Sequence, residues 1–241
     1  GRKGPGLLIA LIGGGLVVVL VAIAAVVLVT RDDGSGGGGG GAAVRLSPGQ
    51  IKGGALAAPA ADGSLTMARP GVNAPVVDVY EDFACPHCGA FDRMHDPMLK
   101  DLAVAGRAKI VFRPVLIFGA GTEPAYSNSL RAAAALRCVG DGARWLSYQD
   151  ALYSHQPPTL NDKGYATSDL VSYAAPLGLT GDGFEKCVTG QRYAADVKAV
   201  SKGYVASGLT GTPTVRVNGR ALSTSDTASP EAMRRAIEAA G

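Results

Sequence analysis

Two cysteines three positions apart, Cys85 and Cys88, have the residue types and spacing that point most directly to chemistry in this chain. Thiols this close can form a disulfide with each other, and Pro86 and His87 lie between them. The same spacing also occurs as half of a structural zinc site, which needs two more clustered ligands. The other cysteines stand singly and the other histidines lack metal-like spacing, so the sequence predicts a redox dithiol, no metal site and no cofactor.

The residues on either side of the dithiol predict how it is positioned. Residues 76–80 are rich in valine and predict a buried strand that leads into the motif. Pro86 suits the first turn of a helix, whose predicted apolar stripe comprises Phe91, Met94, Met98 and Leu102.

This arrangement places Cys85 at a helix N-terminus, where unpaired backbone N–H groups and the positive end of the helix dipole favour a thiolate. Cys88 is then the less exposed, resolving thiol. His87 can add a hydrogen bond or a charge-assisted contact to the same sulfur.

The rest of the pattern predicts an α/β fold. A strand at 108–113 completes a βαβ unit with a parallel pair. Residues from about 122 to 207 carry helical patterns throughout and predict an all-α insertion. Within the insertion, Trp145, Tyr148 and Leu152 lie on one face and are interpreted as core.

A ββα unit follows the predicted insertion. A strand at 214–217, the turn Asn218-Gly219 and a short strand at 220–222 predict a hairpin. A terminal helix is expected from Pro230 to Ala239. Residues 64–67 are interpreted as a short edge strand at which the domain begins, so the domain is expected to span 64–241.

The N-terminal residues predict a membrane anchor. Residues 7–29 are an apolar run preceded by Arg2 and Lys3, and at about 1.5 Å per residue they reach about 34 Å, against roughly 30 Å of hydrocarbon. We therefore expect residues 1–30 to form a cytoplasmic stub and a single transmembrane helix, with the rest of the chain outside the cell. A cleaved signal peptide is the alternative, since Ala22-Ile23-Ala24 offers a small-residue cleavage pattern. Residues 31–63 are rich in glycine and alanine and predict a flexible linker.

The second pair of cysteines, Cys138 and Cys187, is far apart in sequence. Such a pair is typical of a structural disulfide in an oxidising compartment, and here it would staple the helical insertion. The alternative is a second redox-active pair that relays electrons, although neither cysteine has a helix-start proline or a histidine beside it.

The formal net charge of +3, without a basic cluster, does not favour nucleic-acid binding.

From roughly residue 64 to 241 the chain resembles the thioredoxin superfamily and, within it, the bacterial DsbA-like thiol:disulfide oxidoreductases. The resemblance rests on residues 80–88 (YEDFACPHC), 211–214 (GTPT) and 217–219 (VNG), and on the helical insertion between the first two segments. It implies a thioredoxin-like fold with the Thr212–Pro213 peptide bond in cis beside the dithiol, and the backbone of Thr212 pairing with an extended substrate segment.

The resemblance also implies chemistry. Cys-Pro-His-Cys is the choice of the oxidising members, whereas reducing thioredoxins carry Cys-Gly-Pro-Cys. Family members often have a buried acid six residues before the first cysteine, where this chain has Val79. Glu81, Asp82 or water are therefore the candidates for proton transfer from Cys88.

These features predict an extracytoplasmic enzyme that donates its Cys85–Cys88 disulfide to translocated, unfolded proteins with reduced cysteines. A quinone-linked membrane protein, of the DsbB type or a vitamin K epoxide reductase homologue, would reoxidise it. One alternative is the same fold acting as a reductase or isomerase, for example in delivering thiols for cytochrome c maturation. Another is a non-enzymatic module that binds a metal or a protein.

Overall fold

The computed structural model describes residues 49–241. A mixed sheet forms its centre, with the strand order β1-β2-β3-β5-β4-β6-β7. Only the β4–β5 pair is parallel among these strands, and the other neighbours are antiparallel. The strands are β1 (Gly49–Gln50), β2 (Leu56–Pro59), β3 (Leu65–Ala68), β4 (Val76–Glu81), β5 (Lys109–Pro114), β6 (Thr214–Val217) and β7 (Arg220–Ala221).

Helices connect and cover the strands. Helix α1 joins β4 to β5 and packs against β3, β5, α3 and α7. Five α-helices, α2 to α6, lie between β5 and β6 in sequence, with a short 3-10 turn at Ala175–Leu177. The helices are α1 (Pro86–Val104), α2 (Ala125–Leu136), α3 (Gly142–Ser154), α4 (Thr167–Ala174), α5 (Asp182–Thr189), α6 (Ala194–Ala206) and α7 (Pro230–Glu238).

The predicted fold class is confirmed: βαβ, a helical insertion and ββα build a thioredoxin-like α/β domain. The valines of β4 explain its place in the middle of the sheet, because alternate residues Val77 and Val79 are fully buried between β5 and β6. The predicted core face of α3 is also confirmed, since Trp145, Tyr148 and Leu152 are at most 1% exposed.

The start of the domain differs from the prediction. The prediction of a flexible linker up to residue 63 is wrong for residues 49–63, because β1 and β2 extend the sheet within that range. Strand β3 is therefore internal, paired with β2 on one side and β5 on the other, and not an edge. Leu56–Pro59 lacks the β-branched residues by which a strand is recognised.

Close packing explains the small residues of this N-terminal hairpin. The first turn of α3 lies directly on it, and a side chain at Gly142 would overlap the carbonyl of Ala57. A side chain at Gly49 would likewise overlap the backbone of Ala143. Ala55 and Ala57 are fully buried beneath the helix. The composition that predicts a flexible linker is thus a requirement of the contact between the hairpin and α3.

The predicted anchor (1–30) and the first part of the predicted linker (31–48) lie outside the described residues. Within residues 49–241, no helix has both the length and the apolar character that crossing a membrane requires.

Helix α1 departs from its predicted stripe at one position. Phe91, Met98 and Leu102 are buried, but Met94 is 50% exposed. Polar residues occupy buried positions of the same helix instead, namely Asp92, His95 and Asp96. The helix also continues through Pro97 without a break in its assignment.

Candidate active site

The dithiol lies where the central strand β4 ends and α1 begins. A tight turn at residues 82–85 joins them, closed by a hydrogen bond from the Cys85 N–H to the Asp82 carbonyl (3.0 Å). Cys85 is the N-cap residue of α1, with an extended backbone (φ −74°, ψ 114°), and Pro86 follows in the first turn. Both cysteines are free thiols in this structure.

Cys85 is surrounded by groups that stabilise its thiolate. The hydrogen bond from the Cys88 thiol, together with the backbone N–H groups of Cys88 and His87, lowers the pKa of Cys85 to about 5, against a smaller opposing effect of burial. The helix N-terminus acts in the same direction. Cys85 is therefore ionised at neutral pH, which suits both a nucleophile and a leaving group.

Cys88 has the opposite environment. It is fully buried, and burial raises the pKa of its thiol well above the usual value. The hydrogen bond to Cys85 and the charge of Glu81 raise that pKa further. The Asp82 N–H donates to the Cys88 sulfur at 3.4 Å. The two cysteines thus differ in the direction in which their surroundings shift ionisation.

Asp82 anchors the turn. Its Oδ1 accepts hydrogen bonds from the Ala84 N–H (2.8 Å) and the Ser129 hydroxyl, and its Oδ2 accepts one from the Ile117 N–H (2.8 Å). Burial raises the pKa of Asp82 to about 6, although these hydrogen bonds oppose the rise. Since three donors already occupy the carboxylate, Asp82 connects the turn to the segment after β5 and to α2.

Glu81, at the end of β4, is also buried, but its carboxyl group accepts fewer hydrogen bonds than that of Asp82. Gln149 Nε2 lies at 3.5 Å from Oε2, and Oε1 has no hydrogen-bond partner among the described residues. Burial, followed by the charges of Asp96 and Asp92, raises the pKa of Glu81 well above its usual value. A carboxyl group that holds its proton this strongly can donate it to a thiolate that forms nearby.

A cluster of carboxylates lies beyond Glu81, on α1 and α3. Potential ligand atoms of Asp92, Asp96 and Asp150 are all within 4.8 Å of one another. The ammonium of Lys100 lies 2.6 Å from Asp96 and 2.7 Å from Asp150, so this chain itself supplies a cation to the cluster. Burial and the charges of Asp96 and Asp150 raise the pKa of Asp92 to about 8.

The loop before β6 brings Thr212 and Pro213 to the dithiol from the other end of the chain. Their peptide bond is cis, as the resemblance implies. The Cys85 sulfur lies 3.4 Å from the Thr212 carbonyl, to which only its protonated form can donate. The ring of His87 is on the exposed side of the motif, and no hydrogen bond of that ring occurs within residues 49–241; its backbone N–H is the group that reaches Cys85.

Cys138 and Cys187 form a disulfide within the insertion. It joins Cys138, which lies two residues after the end of α2, to Cys187 within α5. Their Cα atoms are 6.0 Å apart. The bond links two helices of the same subdomain.

Sequence reasoning missed several polar residues that surround the dithiol. Ser129, Gln149 and Gln156 come from the insertion, and only the fold brings them near residues 81–85. A signal did exist for Asp92, Asp96 and Lys100, because their spacing of four places them on one face of α1.

Comparisons with known proteins agree with this geometry. The family model described as Thioredoxin matches residues 66–239. The disulfide bond oxidoreductase DsbG of Mycobacterium tuberculosis is 31% identical, with a TM-score of 0.58 over 70% of this chain and 82% of that chain. Oxidised DsbA of the same organism is 29% identical, with a TM-score of 0.58 over 76% of this chain and 92% of that chain. BdbD of Bacillus subtilis, at 19% identity and a TM-score of 0.61 over 81% of this chain and 98% of that chain, shares the fold.

A curated relative has a different name and a much longer chain. The protein named Na(+)/H(+) antiporter NhaA 1 of Salinispora arenicola is 30% identical over 148 residues, which are 61% of this chain and 21% of that protein. The chain thus spans about a fifth of the length of this relative. Taken together, the fold, the dithiol at the start of α1 and the matched family model lead to one assignment: the chain belongs to the thioredoxin family, in its DsbA-like group of thiol–disulfide oxidoreductases.

Proposed function

We propose that this protein is an extracytoplasmic thiol:disulfide oxidoreductase that donates the Cys85–Cys88 disulfide to proteins with reduced cysteines. The observation that carries the proposal is the contrast between the two thiols: the pKa of Cys85 is lowered to about 5, whereas that of Cys88 is raised. Stabilising one thiolate stabilises the reduced form, and a dithiol with a stable reduced form is a strong oxidant as a disulfide.

The first step is the attack of a substrate thiolate on the Cys85 sulfur of the disulfide. The Cys85–Cys88 bond breaks, a mixed disulfide forms between the substrate and Cys85, and the electron pair leaves on the Cys88 sulfur. Glu81 is the proposed acid that protonates this sulfur, because it is buried, holds its proton and interacts with Cys88. Asp82 has the supporting role of anchoring the turn, since its oxygens are already hydrogen-bonded.

In the second step, another thiolate of the substrate attacks the substrate sulfur of the mixed disulfide. A substrate disulfide forms, and Cys85 leaves as a thiolate. The low pKa of Cys85 favours this departure, because a thiol with a lower pKa leaves faster. The substrate has then lost two electrons, and Cys85 and Cys88 hold them as a thiolate and a thiol.

The loop at Thr212 and Pro213 would position the substrate. The Thr212 carbonyl lies beside the Cys85 sulfur, so an extended segment that pairs with the Thr212 backbone would bring its own sulfur to Cys85. The exposed ring of His87 would contact whatever protein docks there. Regeneration requires Cys85 and Cys88 to pass these two electrons on to an acceptor as their disulfide re-forms, and for this we propose a quinone-linked membrane protein of the DsbB type or a vitamin K epoxide reductase homologue.

The location of the protein remains part of the proposal. The apolar residues 7–29 and a disulfide between Cys138 and Cys187 both suit a domain held on the outer side of a bacterial cell membrane. The proposed flexible linker then begins at residue 31 and ends before the first strand.

The reduction potential of the Cys85–Cys88 couple tests the proposal against a reductase or isomerase. Equilibration of the full chain in glutathione buffers should give a value near −120 mV, like that of an oxidising DsbA. A value near −270 mV, typical of thioredoxin, would overturn it. In cells, Cys88→Ser should accumulate mixed disulfides through Cys85, and the double variant Cys85→Ser/Cys88→Ser is the matched control that should trap none.

A further inference from the structure

Gln156 holds the turn that carries Cys85, although it belongs to the helical insertion. It lies two residues beyond the end of α3. Its Nε2 donates to the carbonyl of Phe83 (2.8 Å) and to the carbonyl of Cys85 (2.9 Å). One amide group therefore bridges two backbone oxygens on either side of Ala84, in the turn between β4 and α1.

The Phe83 carbonyl has few other donors, whereas the Cys85 carbonyl also accepts from the N–H groups of Cys88 (3.0 Å) and Gly89 (3.3 Å). The Phe83 carbonyl receives one more contact, from the Tyr165 hydroxyl at 3.4 Å, and that hydroxyl makes its shorter bond of 2.7 Å to the Leu152 carbonyl. Phe83 is only 3% exposed. Loss of the Gln156 amide would leave the buried Phe83 carbonyl without a good hydrogen-bond donor. The turn would then move to give this carbonyl another donor.

Gly89 provides an independent sign that the position of Gln156 matters. It is buried in the first turns of α1, where a helix former such as alanine is ordinarily favoured over glycine. A Cβ atom built at Gly89 would overlap Gln156 Oε1 and lie 2.9 Å from its Cδ. The next contact, Arg93 Nη1 at 3.3 Å, belongs to the end of a flexible side chain. Glycine at this position leaves the space that the amide fills.

We propose that Gln156 is a positioning residue of the dithiol: its amide fixes the turn that presents Cys85, and Gly89 makes room for it. The insertion thereby sets the geometry of the reacting sulfur as well as covering the site. The mechanism is indirect, since Gln156 holds carbonyl groups while the N–H groups of His87 and Cys88 face the Cys85 sulfur. A small rotation of the Cys85 backbone would turn those N–H groups away from the sulfur.

The inference rests on the proposed role of Cys85 as the attacked thiol, but its readout does not depend on the direction of electron transfer. The ionisation of Cys85 is measured in the reduced full chain from the thiolate absorbance at 240 nm. Gln156→Met keeps the length and packing of the side chain and removes both hydrogen bonds. We expect this variant to raise the pKa of Cys85 by about one unit, which is a tenfold change in the thiolate-to-thiol ratio.

The matched control is Gln50→Met, at an exposed position of β1 four strands from β4 in the sheet order. It should leave the pKa of Cys85 unchanged. A folded Gln156→Met variant whose Cys85 pKa equals that of the wild type would overturn the proposal and leave Gln156 a merely structural residue. An ordinary thiol pKa in the wild type itself would instead contradict the proposed function.

The pair Gln156 and Gly89 gives a second test that does not need Gln156→Met to fold. Gly89→Ala should displace the amide and raise the pKa of Cys85 in the wild-type background. In Gln156→Ala, where the amide is absent, adding Gly89→Ala should cause no further change in that pKa and should raise the melting temperature, because alanine favours the helix. Additive effects of the two substitutions, or no effect of Gly89→Ala alone, would contradict the coupling.

Discussion

The two cysteine pairs of this chain have the same atoms and very different surroundings. Cys85 and Cys88 are joined by one helical turn at the end of β4, with backbone N–H groups, Glu81 and the loop at Thr212 around them. Cys138 and Cys187 are 49 positions apart and connect two helices of the insertion. The reactivity of a disulfide therefore depends on whether its surroundings stabilise one of its two thiolates.

Removal of the Cys85 sulfur should have the largest effect on the rate of dithiol oxidation. We expect Cys85→Ser to lower the rate of dithiol oxidation in a reduced model peptide by at least about a thousandfold, because the mixed disulfide can no longer form. Cys138→Ala/Cys187→Ala is the matched variant that removes the other pair, and it should retain most of the rate. A large loss in the latter variant, if it is folded, would show that the second pair relays electrons.

The stability of the same variants should show the reverse order. Cys138→Ala/Cys187→Ala loses the constraint on a loop of 49 residues, which corresponds to about 4 kcal/mol in the chain-entropy treatment. Urea unfolding followed by circular dichroism measures this loss. Cys85→Ser/Cys88→Ser, compared under reducing conditions with the wild type, should change the free energy of unfolding much less. Equal losses of unfolding free energy in the two double variants would contradict a mainly structural role for the Cys138–Cys187 disulfide.

The pH dependence of alkylation should sharpen the contrast within the dithiol. Because the pKa of Cys85 is lowered to about 5 and that of Cys88 is raised, iodoacetamide should modify Cys85 with a midpoint near pH 5 and leave Cys88 unmodified at neutral pH. Peptide mass spectrometry locates the modified cysteine. The lowered pKa also means that ionisation of Cys85 stabilises the folded reduced form against unfolding above the ordinary thiol pKa of about 8.5, and that this stabilisation is lost as the pH falls from there to about 5.

Glu81→Gln should lower the rate far less than Cys85→Ser does, and it should also change the pH dependence of stability. Without the proposed acid, we expect peptide oxidation to slow by roughly tenfold, at the low end of the range for general acid–base groups. Burial raises the pKa of Glu81 well above its usual value in the folded state, whereas the unfolded side chain ionises above about pH 4.3. Wild-type stability should therefore fall as the pH rises above that value, and Glu81→Gln should show a weaker fall. Asp82→Asn, which disrupts the turn, is the comparison variant.

The sequence was informative wherever local chemistry determines structure. The valines of β4, proline after Cys85 and the Asn218-Gly219 turn each predict an element that the structure contains. The place of Cys85 at the N-cap follows from these signals alone. Cys138 and Cys187 are also joined, as a widely separated pair in an oxidising compartment suggests.

The missed features depend on contacts between distant segments. Gln156 reaches Cys85 across 71 positions, and Ser129 reaches Asp82 across 47. No local pattern shows that a glutamine after a helix will meet a particular turn. His95 illustrates the same limit, because nothing in its local sequence indicates that its side chain is 2% exposed and packs on the ring of Phe91.

The glycines and alanines of the N-terminal hairpin have a consequence for engineering. Since α3 begins directly on β1 and β2, the insertion and the hairpin form one packing unit although most of the sheet's sequence separates them. A chimera that receives the insertion of a relative would need that relative's hairpin as well. Expression from residue 64 onward would deprive α3 of its platform, so a workable fragment has to start upstream of Gly49.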